Sequence, residues 1–415
     1  MAKRRLPHRP DLDHVRRQAK TLLADFRREF PEAMADFSEY HPTPPGPTEA
    51  TLSDAQLTLA RSYRFPSWPR LKAAVELLVA IDDQDLATLE RVVQHHPDIL
   101  REGARGLDTS ATWGVPFAYA TASDRPQAAA LLAQLDGKDL AAANHEAQAI
   151  GLQQLGEWFL EPDGQGAKPG AVMHPCELLN PAGLEFLLEH GADLADAHGN
   201  RLAPVAQVLR TYKRDPEGKH RCLEICDEHG TVLPDTPAMA FHRGRVDLLE
   251  KHLVDDPTLL ERRFTLAELF PHEVGFPAED PGGLCGTPLE GSTLLHLCGE
   301  YDELEIARWL LDRGADPNAT AAVDAESFGG HTSLFNAVVT CAAYEPQRDH
   351  LAGMLLDAGA DPHRRASLRK ALLNAEDEAV HTYYDVTAVS WGQRFHGKRL
   401  VNRAALRRIE AFRVG

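Results

Sequence analysis

A paired-helix pattern at residues 291–318, GSTLLHLCGEYDELEIARWLLDRGADPN, limits this 415-residue chain to few folds. Thr293 carries the hydroxyl typical of an N-cap residue, and Asp302 stands where the chain must turn back. From Ile306 onward the apolar residues recur at helical spacing, and Gly314 is typical of a helix C-cap. The pattern predicts two short antiparallel helices. Because one such pair cannot bury its own apolar face, copies must stack on both sides.

Copies of this pattern occur along the chain. The ending GADP at 314–317 recurs at 359–362, and GAD at 191–193 ends a helix upstream. The start signature recurs as TSLF at 332–335 and TPAM at 236–239. These residues resemble the ankyrin repeat, a unit of about 33 residues with a Thr-Pro-Leu-His start and a Gly-Ala-Asp end.

The resemblance implies an all-α fold, an ankyrin-repeat solenoid of about eight helix pairs over residues 81–415. Residues 1–80 do not follow the repeat pattern, and they predict a small N-terminal helical module. In that module, HVRRQAKTLLADFR and DAQLTLARSYRFPSWPRLKA are similar to the front of bacterial ankyrin repeat domain-containing proteins. The resemblance also implies a class of role, which is protein–protein binding.

Charge and composition exclude several classes of partner. The formal net charge of −18 argues against nucleic acid as a partner. No apolar run approaches the roughly 18 residues of a membrane span, so no membrane partner is expected. The basic residues 3–5 are not followed by an apolar core and do not form a secretory signal. Six cysteines scattered through such a chain are typical of a reduced protein, so the expected location is cytoplasmic.

Three long connections interrupt the repeats, near residues 261–290, 319–331 and 374–385. Loops longer than about 12–15 residues are uncommon and are usually functional or disordered. All three lie between the second helix of one repeat and the first helix of the next. Because equivalent positions of stacked repeats fall on the same side, the loops are expected to form one continuous edge.

Large aromatic side chains and acids stand in these otherwise polar loops, and interfaces are enriched in aromatic residues. The predicted partner-binding residues are Phe264, Phe270, His272, Glu273, Phe276, Asp324, Glu326, Phe328, Tyr383 and Tyr384. The acids favour a basic surface on the partner. An alternative is that the aromatic residues fold back onto the repeats as lids.

The favoured interpretation is a non-enzymatic scaffold for protein–protein interaction, without catalytic residues, metal or cofactor. No nucleophile–base pair, zinc-protease motif or phosphate-binding loop is visible. One alternative is an enzyme or a small-ligand or metal-binding protein whose site lies in the 261–331 loops, where His and carboxylates could do acid–base work. Another is a regulatory subunit that contacts its partner through the N-terminal module.

Cys222, Cys226 and His229 are spaced i, i+4, i+7, which places them on one helix face with side chains that suit zinc. Their spacing differs from that of structural zinc sites. Free cysteines also fill small apolar positions of helices. We therefore interpret these residues as part of a repeat's second helix.

Overall fold

The computed structural model describes residues 6, 10–102, 115–122, 125–161, 166–275, 285–341, 348–372 and 379–412. These residues form helices, apart from one two-stranded antiparallel sheet, isolated bridges and connecting turns. The predicted all-α fold of helix pairs is thus confirmed. Contacts divide the chain into unit 1, Met1–Leu155, and unit 2, Gly156–Gly415.

The helices of unit 1 are α1 (Leu12–Arg27), α2 (Pro31–Tyr40), α3 (Leu52–Ser62), α4 (Trp68–Asp83), α5 (Leu86–His95), a 3-10 turn (Pro97–Arg101), α6 (Pro116–Ala122) and α7 (Pro126–Leu135). Helix α8 (Leu140–Phe159) begins in this unit. Helix α2 was not predicted, and Phe37 on it stacks on Phe26 of α1 with ring centroids 3.6 Å apart. One apolar core extends from α1 to α8, so residues 1–80 share it with the helices that follow.

The helices of unit 2 after α8 are α9 (Met173–Glu177), α10 (Pro181–Glu189), α11 (Ala203–Arg210), α12 (Pro216–Glu228), α13 (Pro237–His242), α14 (Val246–Asp255), α15 (Leu266–Leu269), α16 (Leu294–Tyr301), α17 (Leu304–Asp312), α18 (Ser333–Val338), α19 (His350–Asp357), α20 (Ala388–Arg394) and α21 (Arg403–Ala411). Its strands are β1 (Ala366–Lys370) and β2 (His381–Val386), and its 3-10 turns are Pro257–Leu260, His272–Val274 and Lys398–Leu400. First helices α16, α18 and α20 pack in series, and second helices α17, α19 and α21 do the same. Within the described ranges, no helix combines the length and apolarity needed to cross a membrane.

The pair α16–α17 has the predicted geometry. Thr293 is the N-cap of α16, and its hydroxyl bonds to Nδ1 of His296 at 2.9 Å. Asp302 adopts the left-handed conformation, with φ 58° and ψ 35°, as expected for the turn. Gly314 after α17 has φ +90°, which a residue with a Cβ rarely adopts. On α17, the side chain of Leu310 is 1 % exposed.

A buried ion pair ties separate segments of unit 2 together. Arg214 precedes α12 and bonds to the carboxylate of Glu300 on α16 at 2.7 Å, with side chains 3 % and 0 % exposed. The same carboxylate accepts the N–H of Gly286 at 3.0 Å and that of Cys341 at 3.3 Å. One carboxylate therefore joins the repeat before α12, the 261–290 connection and the end of the 332–341 segment.

Two adjacent histidines lead to the prediction that unit 2 loses stability in mild acid. His296 and His331 are buried, with ring centroids 5.5 Å apart. Burial, more than any other cause, lowers the pKa of His296 to about 4 and that of His331 to about 3. The unfolded chain, with histidine pKa values near 6.5, binds more protons than the folded chain below that pH. The stability that depends on the neutral histidines is fully present above about pH 6.5 and is lost progressively as the pH falls toward 4. Urea unfolding should therefore show that the free energy of unfolding falls by about 1 kcal/mol per histidine between pH 7 and pH 5.5.

The variant His331→Gln provides the control for this pH dependence. Its amide can still donate to the carbonyl of Pro288, which Nε2 of His331 contacts at 3.0 Å. One titrating group is removed, so the variant should lose about 1 kcal/mol less than the unsubstituted chain over the same pH interval. Equal losses in the two proteins would show that His331 does not contribute to the pH dependence.

Candidate functional site

Backbone hydrogen bonds join the inter-repeat connections of unit 2 into one continuous edge. Gly291 N–H donates to the carbonyl of Phe264, and Ala322 N–H donates to the carbonyl of Gly291, each at 2.9 Å. Gly329 N–H then donates to the carbonyl of Ser367 on β1 at 2.7 Å. We call residues 264, 291–292, 322–329, 366–370 and 381–386 the loop edge. Its main chain is held in place by its neighbours along its length.

The hairpin at residues 323–329 is shaped by its own side chains and glycines. One oxygen of Asp324 accepts the N–H groups of Glu326 and Phe328, each at 2.9 Å. The Phe328 N–H, more than any other contact, lowers the pKa of the Asp324 carboxyl. A Cβ at Gly329, where φ is +116°, would lie 2.0 Å from the carbonyl oxygen of Ala322. Only glycine fits this position, so the hairpin geometry is set by the sequence.

Arg369 on β1 connects the hairpin to the sheet. Its guanidinium bonds to Asp324 at 2.6 Å and also to Glu326, and it lies 4.9 Å from the ring centroid of Phe328. The ring of Phe328 in turn lies 5.5 Å from that of Tyr384 on β2. The surface of the loop edge is therefore an ordered cluster of aromatic rings with one arginine and two acids.

The structure separates the predicted partner-binding residues into exposed and buried groups. The exposed or half-buried ones are His272, Glu273, Asp324, Glu326, Phe328 and Tyr384. The buried ones are Phe264, Phe270 and Tyr383, which are 1 %, 2 % and 5 % exposed. Phe276 lies outside the described residues. Three of the predicted aromatic side chains are thus part of the core, as in the alternative in which they act as lids.

The contrast between Tyr383 and Tyr384 follows from strand geometry. Successive residues of a strand point to opposite faces. Tyr383 points inward, where its ring meets that of Trp391 at 4.8 Å and its hydroxyl bonds to His396 at 2.7 Å. Tyr384 points outward and is 63 % exposed. The order of residues in β2 therefore divides two neighbouring tyrosines between the core and the surface.

Sequence reasoning missed three residues of this region. Val323 and Val380 are 60 % and 64 % exposed, although large apolar side chains are usually buried. Arg369 was missed because the pairing of β1 with β2 was not predicted. The sequence of β1, ASLRK, alternates only Ala366 and Leu368 with polar residues, and the third buried position is the charged Lys370, so the strand had only a weak signal.

The described residues bear on the metal-binding alternative. No three His, Cys, Asp or Glu side chains within the described ranges lie in position to hold a metal ion. Cys222 and Cys226 are buried in the apolar core, and burial raises the pKa of the Cys226 thiol to about 12. His229 is exposed and follows the last residue of α12. These cysteines occupy positions where a small apolar residue packs.

One helix pair of unit 2 is similar in sequence to a known protein family. Residues 290–322 match the family model of the ankyrin repeat. This ankyrin repeat contains α16, α17 and the turn that leads into the hairpin of the loop edge. The chain is also similar to the crystal structure of the human ASB11 ankyrin repeat domain, with 18% identity and a TM-score of 0.24. That similarity covers 65% of this chain and 98% of the other. No curated protein matches the chain.

Proposed function

We propose that unit 2 is a non-enzymatic scaffold that binds a partner protein through the loop edge. Ankyrin repeats generally mediate protein–protein interaction, and one is present here. The observation that carries the proposal is the exposure of Val323 and Tyr384, which are 60 % and 63 % exposed on neighbouring segments of this edge. Apolar and aromatic side chains held out to solvent are typical of interaction surfaces.

The rigidity of the loop edge supports this function. Gly329 and Ser367 pair through their backbones, and Arg369 holds Asp324 and Phe328 in place. A surface already ordered before binding loses less conformational entropy when a partner docks. The side chains that would contact a partner are therefore presented at a low entropic cost.

The charges of the loop edge indicate the chemistry of the partner. Asp324 and Glu326 are both paired with Arg369, so the three side chains together carry one net negative charge. A partner that offers an aliphatic or aromatic side chain flanked by a lysine or arginine would complement this surface. The cytoplasm is the compartment we infer, because all six cysteines are free thiols.

A pair of matched double variants tests the proposal. Affinity capture with the intact chain, from a lysate of the source organism, identifies candidate partners, and each is then titrated in purified form by calorimetry. Val323→Asp with Tyr384→Asp should weaken binding by roughly tenfold or more, because charges would enter the apolar centre of the interface. Val232→Asp with Val254→Asp is the control, since these valines are 86 % and 73 % exposed outside the loop edge.

Both double variants should unfold at the same urea concentration as the unsubstituted chain, because the changes are at exposed positions. A partner that binds the Val323 and Tyr384 double variant as tightly as the control would contradict the proposed surface.

A further inference from the structure

The C-terminal end of unit 2 differs in charge from the rest of the chain. The whole chain has 44 Lys and Arg against 62 Asp and Glu. Residues 388–412, which form α20, the last 3-10 turn and α21, contain six Lys or Arg and a single Glu. Residues 388–412 are therefore a concentrated positive segment of a strongly acidic chain.

These elements form the walls of an open groove with a volume of about 280 Å³. It is lined by Gln393, Lys398, Val401, Arg403, Leu406 and Arg407. The apolar part of the lining is the half-buried Leu406 beside Val401, which is 5 % exposed, whereas Lys398 and Arg407 are exposed. The groove thus combines apolar surface with exposed cations.

Backbone pairing holds the wall of this groove in place. Thr340 N–H donates to the carbonyl of Leu400 at 2.9 Å, and Asn402 N–H donates to that of Val338 at 2.8 Å. Gly392 lies against this wall, where a Cβ would approach Val338 to 2.4 Å. The wall of the groove is therefore fixed by pairing with the end of α18 and the segment that follows it.

Four of the six cations of residues 388–412 are available to a partner. Among the described residues, Lys398, Arg399, Arg407 and Arg408 have no ion-pair partner, and all four are exposed. Lys398 donates to the backbone carbonyl of Gln393 at 2.7 Å. The one acid of the segment, Glu410, accepts from the amide of Gln393 at 2.8 Å.

We propose that this groove binds an acidic segment of a partner protein that carries an aliphatic side chain between its carboxylates. The carboxylates would meet Lys398 and Arg407, and the aliphatic group would rest mainly on Leu406, next to the edge of Val401. Such a segment complements both the charge and the apolar lining, which a bare phosphate would not. A nucleic acid is disfavoured because the net charge of −18 would repel a long phosphate backbone. This surface lies outside the residues of the loop edge and does not rest on the function proposed for it.

A peptide-binding measurement on the full chain tests this inference. The probe is a fluorescent peptide of Glu-Glu-Leu repeats, compared by anisotropy with Glu-Glu-Ser and Lys-Lys-Leu peptides of equal length and with a single-stranded oligonucleotide. We expect the Glu-Glu-Leu peptide to bind at least about tenfold more tightly than the other three, and to weaken as NaCl rises from about 50 to about 300 mM.

Charge reversal at the groove provides the second arm. Lys398→Glu with Arg407→Glu should weaken binding of the Glu-Glu-Leu peptide by about tenfold or more. Arg201→Glu with Arg308→Glu is the matched control, because it makes the same change in net charge at two exposed arginines of other repeats. Thermal melts establish that both variants are folded, and Arg407→Gln provides a milder substitution if the reversal at the groove prevents folding.

Three results would overturn the inference. One is that the groove variant and the control variant weaken peptide binding equally, which would show that only the net charge of the chain matters. Another is binding of Glu-Glu-Ser as tightly as Glu-Glu-Leu, which would remove the apolar contact. The third is tighter binding of the oligonucleotide, which would make the groove a nucleic-acid site. None of these results would bear on the loop edge, which is tested by its own variants.

Discussion

Replacing Arg214 with methionine is expected to lower the free energy of unfolding of unit 2 by about 3–5 kcal/mol. The change leaves the carboxylate of Glu300, which is 0 % exposed, without its charged partner. The cost of an uncompensated buried charge then exceeds the value of a typical hydrogen bond. Urea unfolding of the full chain, followed by tryptophan fluorescence to which the buried Trp391 contributes, measures the effect.

Two controls distinguish the cost of leaving a buried charge unpaired from the cost of losing an ion pair at the surface. Arg214→Met combined with Glu300→Gln should be more stable than Arg214→Met alone, because the amide removes the buried charge and still provides one oxygen that can accept the N–H of either Gly286 or Cys341. Arg245→Ala breaks a pair with Asp247 whose side chains are 39 % and 62 % exposed, and it should cost less than about 1 kcal/mol. If Arg214→Met cost no more than Arg245→Ala, the carboxylate of Glu300 would not need its partner.

Leu310→Ala is expected to destabilise unit 2 by about 2–5 kcal/mol, the range for truncation of a buried leucine. Leu310 lies on α17, which packs against α16 and α19, and its side chain is 1 % exposed. The loss combines the transfer of apolar surface and the cavity that remains. The same urea unfolding experiment measures it.

Leu311→Ala is the matched control for this position. It makes the same chemical change at the next residue, whose side chain is only partly buried against the same core. We expect a cost of about 1 kcal/mol, because part of that side chain already contacts water in the folded state. A larger effect at Leu311 than at Leu310 would mean that α17 presents a different face to the core.

The local structure of the repeats could be predicted because single residues determine it. Thr293, Asp302 and Gly314 specify the start, turn and end of the α16–α17 pair, and each acts on its own backbone. The apolar positions between them follow helical periodicity, and this was enough to predict that the two helices form a pair which needs stacked copies. Interactions within a few residues are therefore readable in the sequence.

Features that depend on distant residues could not be predicted. Arg214 lies in a polar part of the sequence, which is typical of an exposed segment. Its partner Glu300 is 86 positions away in the sequence. Burial of Phe264 and Phe270 depends on packing against helices that the sequence does not identify as neighbours. Exposure of Val323 and Val380 depends on a hairpin and a strand pair whose register the sequence did not reveal.

The contacts of Glu300 also limit how this chain could gain or lose repeats during evolution. In an array where each repeat touches only its neighbours, one repeat can be duplicated or deleted without changing any other contact. Here one carboxylate requires Arg214, Gly286 and Cys341 in their present places. A deletion or insertion of one repeat between residues 214 and 341 would leave that buried carboxylate without some of its partners. We expect variation in repeat number to be confined to the regions before and after this segment.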